Sequence, residues 1–224
     1  MKRNFVIAID GPAGSGKSTT ARLVAQRLGV SYIDSGAIYR AITLQCVKEK
    51  VDINNNDALI NLLRRTDVEL RAGDNGNRVF VNGKDVTKEI RSPQVTGAVS
   101  AVSALPPVRA AVTRKLHQIS ENNSIVLEGR DIGTVVFPNA DLKIYMEASI
   151  DERARRRHRE LHDSGVVSNV ENIKSEITRR DQHDSQRLLS PLSKAPDAIV
   201  LNNTNMSIED GVEFIVEKMA ERVS

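Results

Sequence analysis

The chain has 224 residues, 40% of them hydrophobic, which suffices for one large domain or a core with an inserted lobe, and its net charge of +3 is mild. Trp is absent and aromatic residues make up only 3%, so the core must be aliphatic; the single Cys46 excludes an internal disulfide and reads as a small buried hydrophobe in a reducing compartment. Lys2 and Arg3 precede only five apolar residues before Asp10, too few for a signal peptide, and the uncharged stretch 92–108 is broken by Pro93, Pro106 and Pro107, so a soluble cytoplasmic protein is expected.

A buried strand is expected over residues 5–9, then a helix over 17–28, a short strand over 31–33, and helices over 36–48 and 57–65. The period then changes. Val68-Glu69-Leu70, Val79-Phe80-Val81 and a piece around Val86 are joined by Asp74-Asn75-Gly76-Asn77 and by Asn82-Gly83, and Asn-Gly between alternating runs is a strong hairpin signal. An antiparallel three-stranded lobe therefore interrupts the βα rhythm as an insertion. Helices over 93–103 and 106–120, each opened by proline at a tolerated early position, lead back into it. Strands over 124–127, 142–146 and 198–201 then alternate with helices over 150–162, 170–183 and 208–222. Apolar strands alternating with helices require a parallel sheet covered on both faces, with ligands at the strands' carboxyl ends, where Gly11, Asp34, Glu128 and Glu147 stand.

The first strand runs straight into Gly11-Pro12-Ala13-Gly14-Ser15-Gly16-Lys17-Ser18, which matches the phosphate-cradling pattern G-x-x-x-x-G-K-[ST] in its strand-loop-helix setting. Backbone N–H groups converge on a phosphate only where side chains are absent or small. Lys17 meets the outer phosphates as a point charge, Ser18 offers its hydroxyl to the Mg²⁺ that travels with a nucleotide, and the helix start faces the same anion. The loop implies a nucleoside triphosphate but is silent on the fate of its phosphate.

Further polar clusters lie at or beyond the strand ends and suggest a second phosphate ligand. Asp34-Ser35-Gly36-Ala37-Ile38-Tyr39-Arg40 reads in part as a helix cap, which leaves Arg40 unexplained. Glu128-Gly129-Arg130-Asp131-Ile132-Gly133-Thr134 sets a glycine turn, a guanidinium and a carboxylate together. Arg180, Asp184 and Arg187 repeat at helical spacing and so share one face, which is either a solvated ion-pair face or a ligand surface. Arg153, Arg155, Arg156, Arg157 and Arg159, flanked by Asp151, Glu152, Glu160 and Asp163, are either another solvated helix face or an arginine-bearing lid over phosphates. No aromatic residues are interleaved with these arginines to stack nucleic-acid bases.

The loop Gly11 to Thr19, the segment Asp34 to Arg40, the run Gly129-Arg130-Asp131-Ile132-Gly133-Thr134-Val135-Val136-Phe137-Pro138, and Arg180-Asp181 through Asp184 and Arg187 to Ser190-Pro191-Leu192 together resemble the bacterial cytidylate (CMP) kinase family. The resemblance spans nearly the whole chain in the right order. The phosphate loop is generic, whereas the run from Gly129 to Pro138 is highly specific; Asn139 stands where the family carries Asp, with nothing catalytic in doubt.

The resemblance implies a three-layer P-loop NTPase fold: a parallel five-stranded sheet flanked by helices, an inserted antiparallel three-stranded NMP-binding lobe over about 65–103, a helical lid over about 151–163, and a core of 1–64, 104–150 and 164–224. It implies transfer of the ATP γ-phosphoryl to CMP or dCMP. ATP would rest on Gly11, Pro12, Ala13, Gly14, Ser15, Gly16, Lys17, Ser18 and Thr19, with Mg²⁺ on Ser18, phosphates and water. CMP would meet Ser35, Arg40, Ser100, Arg109, Gly129, Arg130, Asp131, Arg180, Asp184 and Arg187, the acceptor Asp131 with Ser100 and the donor Arg109 matching cytosine, and Asp184 with Arg180 on the sugar. Lys17, Arg130 and Arg187, with Arg153 and Arg157 on the lid, would carry the transfer. The alternatives are another small-molecule or nucleoside monophosphate kinase on this fold, or an ATP-dependent nucleic-acid-binding protein. With no exposed apolar stripe demanding a dimer, a monomer without nucleic-acid or membrane partners is expected.

Overall fold

A computed structural model describes residues 4–73, 76–163 and 165–223. Lys2 and Arg3, and Asp74 and Asn75 of the first hairpin turn, lie outside the described residues. Strands β1 (Val6–Asp10), β2 (Ser31–Asp34), β6 (Ile125–Gly129), β7 (Leu142–Glu147) and β8 (Ile199–Asn202) form one parallel sheet in the order β2-β6-β1-β7-β8. A second, antiparallel sheet takes the order β3-β4-β5 from β3 (Val68–Gly73), β4 (Gly76–Val81) and β5 (Lys84–Asp85). Helices α1 (Lys17–Leu28), α2 (Ser35–Lys48), α3 (Asn56–Arg64), α4 (Pro93–Ser103), α5 (Pro106–Ser120), α6 (Ile150–Asp163), α7 (Val170–Ser185) and α8 (Ile208–Val223) surround them. No single helix among the described residues is long and apolar enough to cross a membrane.

Alternation along the strands divides the interior into two layers. In β1, Ile7 and Ile9 pack toward α1 and α8 with Val24, Val126, Leu142, Ile144 and Ile215. Ala8 points to the opposite face, where Ile125 and Leu127 of the neighbouring strand meet Ile38, Leu59, Val108, Val112 and Leu116. The inserted sheet has no separate core: Val68, Val79, Val81, Val86 and Ile90 belong to that second cluster. A small third cluster joins Ala13 of the phosphate loop to Ala154 of α6 and Ile173 and Ile177 of α7. Each fully enclosed Ile or Leu contributes roughly 1.5–3 kcal/mol through removal from water.

Local signals account for the helix ends. Gly29 adopts a left-handed conformation (φ 67°) and closes α1, with its N–H and that of Val30 returning to the last-turn carbonyls. Asp34 caps α2 by accepting from the Ala37 N–H at 3.0 Å, and Ser92 with Pro93 starts α4. Two short elements carry no periodic signal: a 3₁₀ turn at Glu89–Arg91 and a π turn at Ile132–Val136. The π turn is formed by part of the specific Gly129-to-Pro138 run, and it holds Asp131 and Arg130 at the sheet rim.

Candidate active site

The phosphate loop lies between β1 and α1, and the backbone dictates its glycines. A Cβ on Gly11, at φ 149°, would stand 2.0 Å from the Met146 carbonyl oxygen. Lys17 is 4% exposed; its Nζ donates to the Pro12 carbonyl at 2.7 Å and to Ser15 Oγ at 3.3 Å. Burial, followed by the nearby positive charge of Arg130, lowers the Lys17 pKa from its ordinary value to about 7. Ser18 Oγ donates to the Glu128 carboxylate at the end of β6, and the Tyr32 hydroxyl reaches the same oxygen at 3.4 Å. A serine hydroxyl beside a carboxylate is a hard-oxygen pair suited to Mg²⁺, which takes few protein ligands and fills its remaining positions with phosphate and water. Among the described residues no cluster of three or more His, Cys, Asp or Glu could hold a metal by itself.

Asp10, at the end of β1, ties the loop to the π turn. It is 5% exposed and accepts from the Ile132 N–H at 2.8 Å and the Gly133 N–H at 2.7 Å, while burial raises its pKa to about 6. The next strand end is closely packed: a Cβ on Gly129 would approach Ile132 Cγ1 to 2.7 Å and Ser35 Oγ to 2.9 Å. Ser35 Oγ itself donates to the Glu128 carbonyl at 2.6 Å. Gly129, Ser35 and the π turn therefore form one interlocked platform.

Arginines collect on this platform. Arg130 Nε donates to Asp184 at 3.0 Å, and Arg187 Nε donates to the Asp184 carbonyl at 3.2 Å with its guanidinium 3.4 Å from the same carboxylate. Arg187 lies beyond the last residue of α7, so it does not share a helical face with Arg180 and Asp184 as spacing suggests; the chain turn after Ser185 brings it back. Arg109 and Asp131 form a buried ion pair, and Arg109 also donates to the Ser103 carbonyl at 3.2 Å. Ser100 lies on α4 one turn from that carbonyl, its own carbonyl accepting from Ser103 Oγ. Arg40 donates to the Ile90 carbonyl at 3.3 Å and to Thr96 Oγ1 at 2.9 Å, linking α2 to the inserted segment.

The positive charges are not fully balanced. Burial lowers the Arg180 pKa to about 10, with Arg130 and Arg40 pushing in the same direction, and burial lowers Arg40 and Arg187 as well. Arg130 and Arg180 also act on Lys17. Four enclosed side-chain atoms have no hydrogen-bond partner among the described residues: the Tyr39 hydroxyl, Thr134 Oγ1, Arg180 Nε and Arg187 Nη2. Such atoms are costly unless a ligand meets them, although Arg187 Nη2 keeps its ion pair with Asp184 at 3.4 Å. Tyr39, whose ring lies 5.6 Å from the Arg109 guanidinium, Arg180 and Arg187 all belong to this arginine platform.

The lid arginines separate into different roles. Arg153, expected to close over the transferring group, is instead 9% exposed and lies against the phosphate loop: Nη1 donates to the Ala13 carbonyl at 3.0 Å and pairs with Asp181, while Nε donates to the Ala148 carbonyl at 3.1 Å. Its burial among carbonyls gives it the work of a brace. Arg157 is exposed on α6 and pairs with Glu160 at 2.9 Å, close enough for its charge to act on Arg40. Spacing does not single out Arg156, which donates to the Ser15 carbonyl at 3.3 Å and to the Asn203 carbonyl at 2.8 Å; Asn203 Nδ2 in turn donates to the Ser15 carbonyl at 2.9 Å. Asp10, Asp181, Arg156, Asn203 and Tyr39 are thus additions to the site. Tyr39 and Asp181 stand inside motif segments read from the sequence, Arg156 in its arginine cluster and Asp10 just before the glycine loop, whereas Asn203 carried no signal.

A family model described as cytidylate kinase matches residues 7–221. The chain is 49% identical over 223 residues to a cytidylate kinase of Geobacillus sp. (strain WCH70), covering 100% of each chain. It is 45% identical over 219 residues to a cytidylate kinase of Oceanobacillus iheyensis (strain DSM 14371 / CIP 107618 / JCM 11309 / KCTC 3954 / HTE831), covering 98% of this chain and 95% of the other. Among solved structures, an uncharacterized protein from Eubacterium ventriosum ATCC 27560 aligns with TM-score 0.53 at 12% identity over 98% of this chain and 100% of its own, a likeness of fold. With the glycine cradle facing an arginine platform on one sheet rim, and with these relatives matching from end to end, the chain belongs to the cytidylate kinase family.

Proposed function

We propose that the protein transfers the γ-phosphoryl of ATP to CMP or dCMP, giving ADP and CDP or dCDP. The observation that carries this reading is the convergence of Lys17 with Arg130 and Arg180, which puts a donor cradle and an acceptor platform within mutual electrostatic reach. Phosphoryl transfer asks little covalent chemistry of the protein and depends on in-line alignment and cancellation of charge. Lys17 and the loop amides from Gly14 to Thr19 hold the triphosphate. Ser18, with Glu128 behind it, would hold Mg²⁺, which would supply charge neutralisation to the triphosphate.

On the acceptor side, Arg40, Arg130, Arg180 and Arg187 grip the monophosphate and its sugar, with Asp184 as the fixed counter-charge between Arg130 and Arg187. Cytosine offers an N4 amine as donor and N3 and O2 as acceptors. Asp131 with Ser100 and Arg109 present the complementary acceptors and donor, whereas uracil would leave buried groups unpaired. Arg157 serves the lid, and the enzyme works as a cytoplasmic monomer.

The test is a panel of nucleoside monophosphates with ATP and Mg²⁺ in an ADP-coupled assay. CMP and dCMP should turn over with kcat/KM at least about 100-fold above UMP, AMP and GMP. Comparable rates on UMP, or preference for an acceptor that is not a nucleotide, would overturn the reading.

A further inference from the structure

We propose that Asp181 is a positioning residue that transmits occupancy of the acceptor pocket to the phosphate loop. The inference rests on the functional reading above, since it takes the Arg180 pocket to be where the acceptor binds. Helix α7 carries Arg180 and Asp181 on consecutive positions, and of the two only Asp181 bonds to the donor loop among the described residues. Arg180 lies within electrostatic reach of Arg130, Arg40 and Lys17, with its Nε enclosed and without a hydrogen-bond partner among the described residues. Asp181 is turned toward the donor loop, where its Oδ1 accepts from the Ala13 N–H at 3.0 Å.

The grip on Ala13 is two-sided. While Asp181 holds its N–H, Arg153 of α6 donates to its carbonyl at 3.0 Å, and Arg153 and Asp181 are themselves ion-paired. The Ala13 N–H is therefore committed to a carboxylate and does not serve a phosphate. The next residue leaves little slack: Gly14 has φ 75°, and a Cβ there would stand 3.3 Å from the Arg153 Cβ. A shift of α7 therefore moves the loop at Ala13. An anion that bonds to Arg180 fixes the rotation and height of α7, and Asp181 passes that setting to the cradle. Coupling of this kind is reciprocal, so acceptor and triphosphate should each tighten the binding of the other.

The measurement is the CMP dissociation constant of the full chain, alone and with a saturating non-hydrolysable ATP analogue plus Mg²⁺, by calorimetry. We expect the analogue to tighten CMP binding on the order of 10-fold in the unaltered protein. Asp181→Asn should bring that ratio close to 1 while changing the constant for CMP alone less than about 3-fold, a split that a general loss of stability would not produce. An unchanged ratio in Asp181→Asn, or a ratio near 1 in the unaltered protein, overturns the inference while CMP binding itself leaves the functional reading standing. Absence of CMP binding in the unaltered protein overturns both. Should Asp181→Asn fail to fold, Arg153→Lys removes the fork that braces the same peptide and must lower the ratio likewise; a ratio it leaves intact counts against the proposal.

Discussion

Lys17 shows how a single side chain is shaped for its ligand. Its ammonium is buried against carbonyl and hydroxyl oxygens and faces Arg130, and without a counter-anion its pKa falls to about 7 from 10.5. A bound triphosphate supplies that anion and raises the value again. Above pH 7 the free protein has lost a proton that the complex regains. Affinity for the triphosphate should therefore fall as pH rises from about 7.5 to 9, approaching 10-fold per unit at the limit. Calorimetry in two buffers of different ionisation heat should record uptake of up to about one proton per nucleotide at pH 8, and Lys17→Met should abolish it. Binding without proton uptake at that pH would contradict this account of the lysine.

At the scale of elements, a tight constraint lies where β6 ends against α2 and the π turn. Glycine is required at position 129 because Ile132 and Ser35 occupy the space a side chain would need. Gly129→Ala should cost about 1–3 kcal/mol of stability through overpacking. It should also raise the KM for CMP on the order of 10-fold by displacing Arg130 and Asp131, with ATP affinity changed less than about 2-fold. Chemical denaturation and steady-state kinetics measure the two effects, and a variant with normal KM would show that the platform tolerates the shift.

The elements also show what could be foreseen. The periodic apolar runs of α1, α4 and α5, with their proline starts and the Gly29 stop, place those helices within a residue of their observed ends. The hairpin lobe is legible from Asn82-Gly83. The π turn over Ile132–Val136 is not, because its shape is imposed from afar by the Asp10 carboxylate taking two of its N–H groups. Arg153 and Arg157 look equivalent at helical spacing, and only the packing of α6 on Ala13 separates a brace from a lid group. Arg156 and Asn203 meet at the phosphate loop across 47 positions, a pairing no local pattern encodes.

Over the whole molecule, the glycine loop and the proposed acceptor platform share one sheet rim, while α6, where the lid is proposed, and α7 rest on a small cluster of their own that includes Ala13. That separation suits a lid that shuts only over both ligands, so that the triphosphate does not meet water half-way. Arg157, exposed and paired on the surface with Glu160, would be recruited at such a closure. Arg157→Ala should lower kcat on the order of 100-fold and leave the CMP dissociation constant nearly unchanged. Turnover at the original rate with weakened CMP binding would assign that arginine to the acceptor instead.

The one sulfhydryl of the chain has a consequence beyond catalysis. Cys46 is 4% exposed on the inner side of α2, among the aliphatic residues that the parallel sheet and the inserted sheet share. Thiol reagents reach it only when that shared interior opens, and burial holds the group in its less nucleophilic protonated form. The folded molecule is thereby shielded from oxidative cross-linking through sulfur, and its alkylation becomes a clock for how often that shared interior opens.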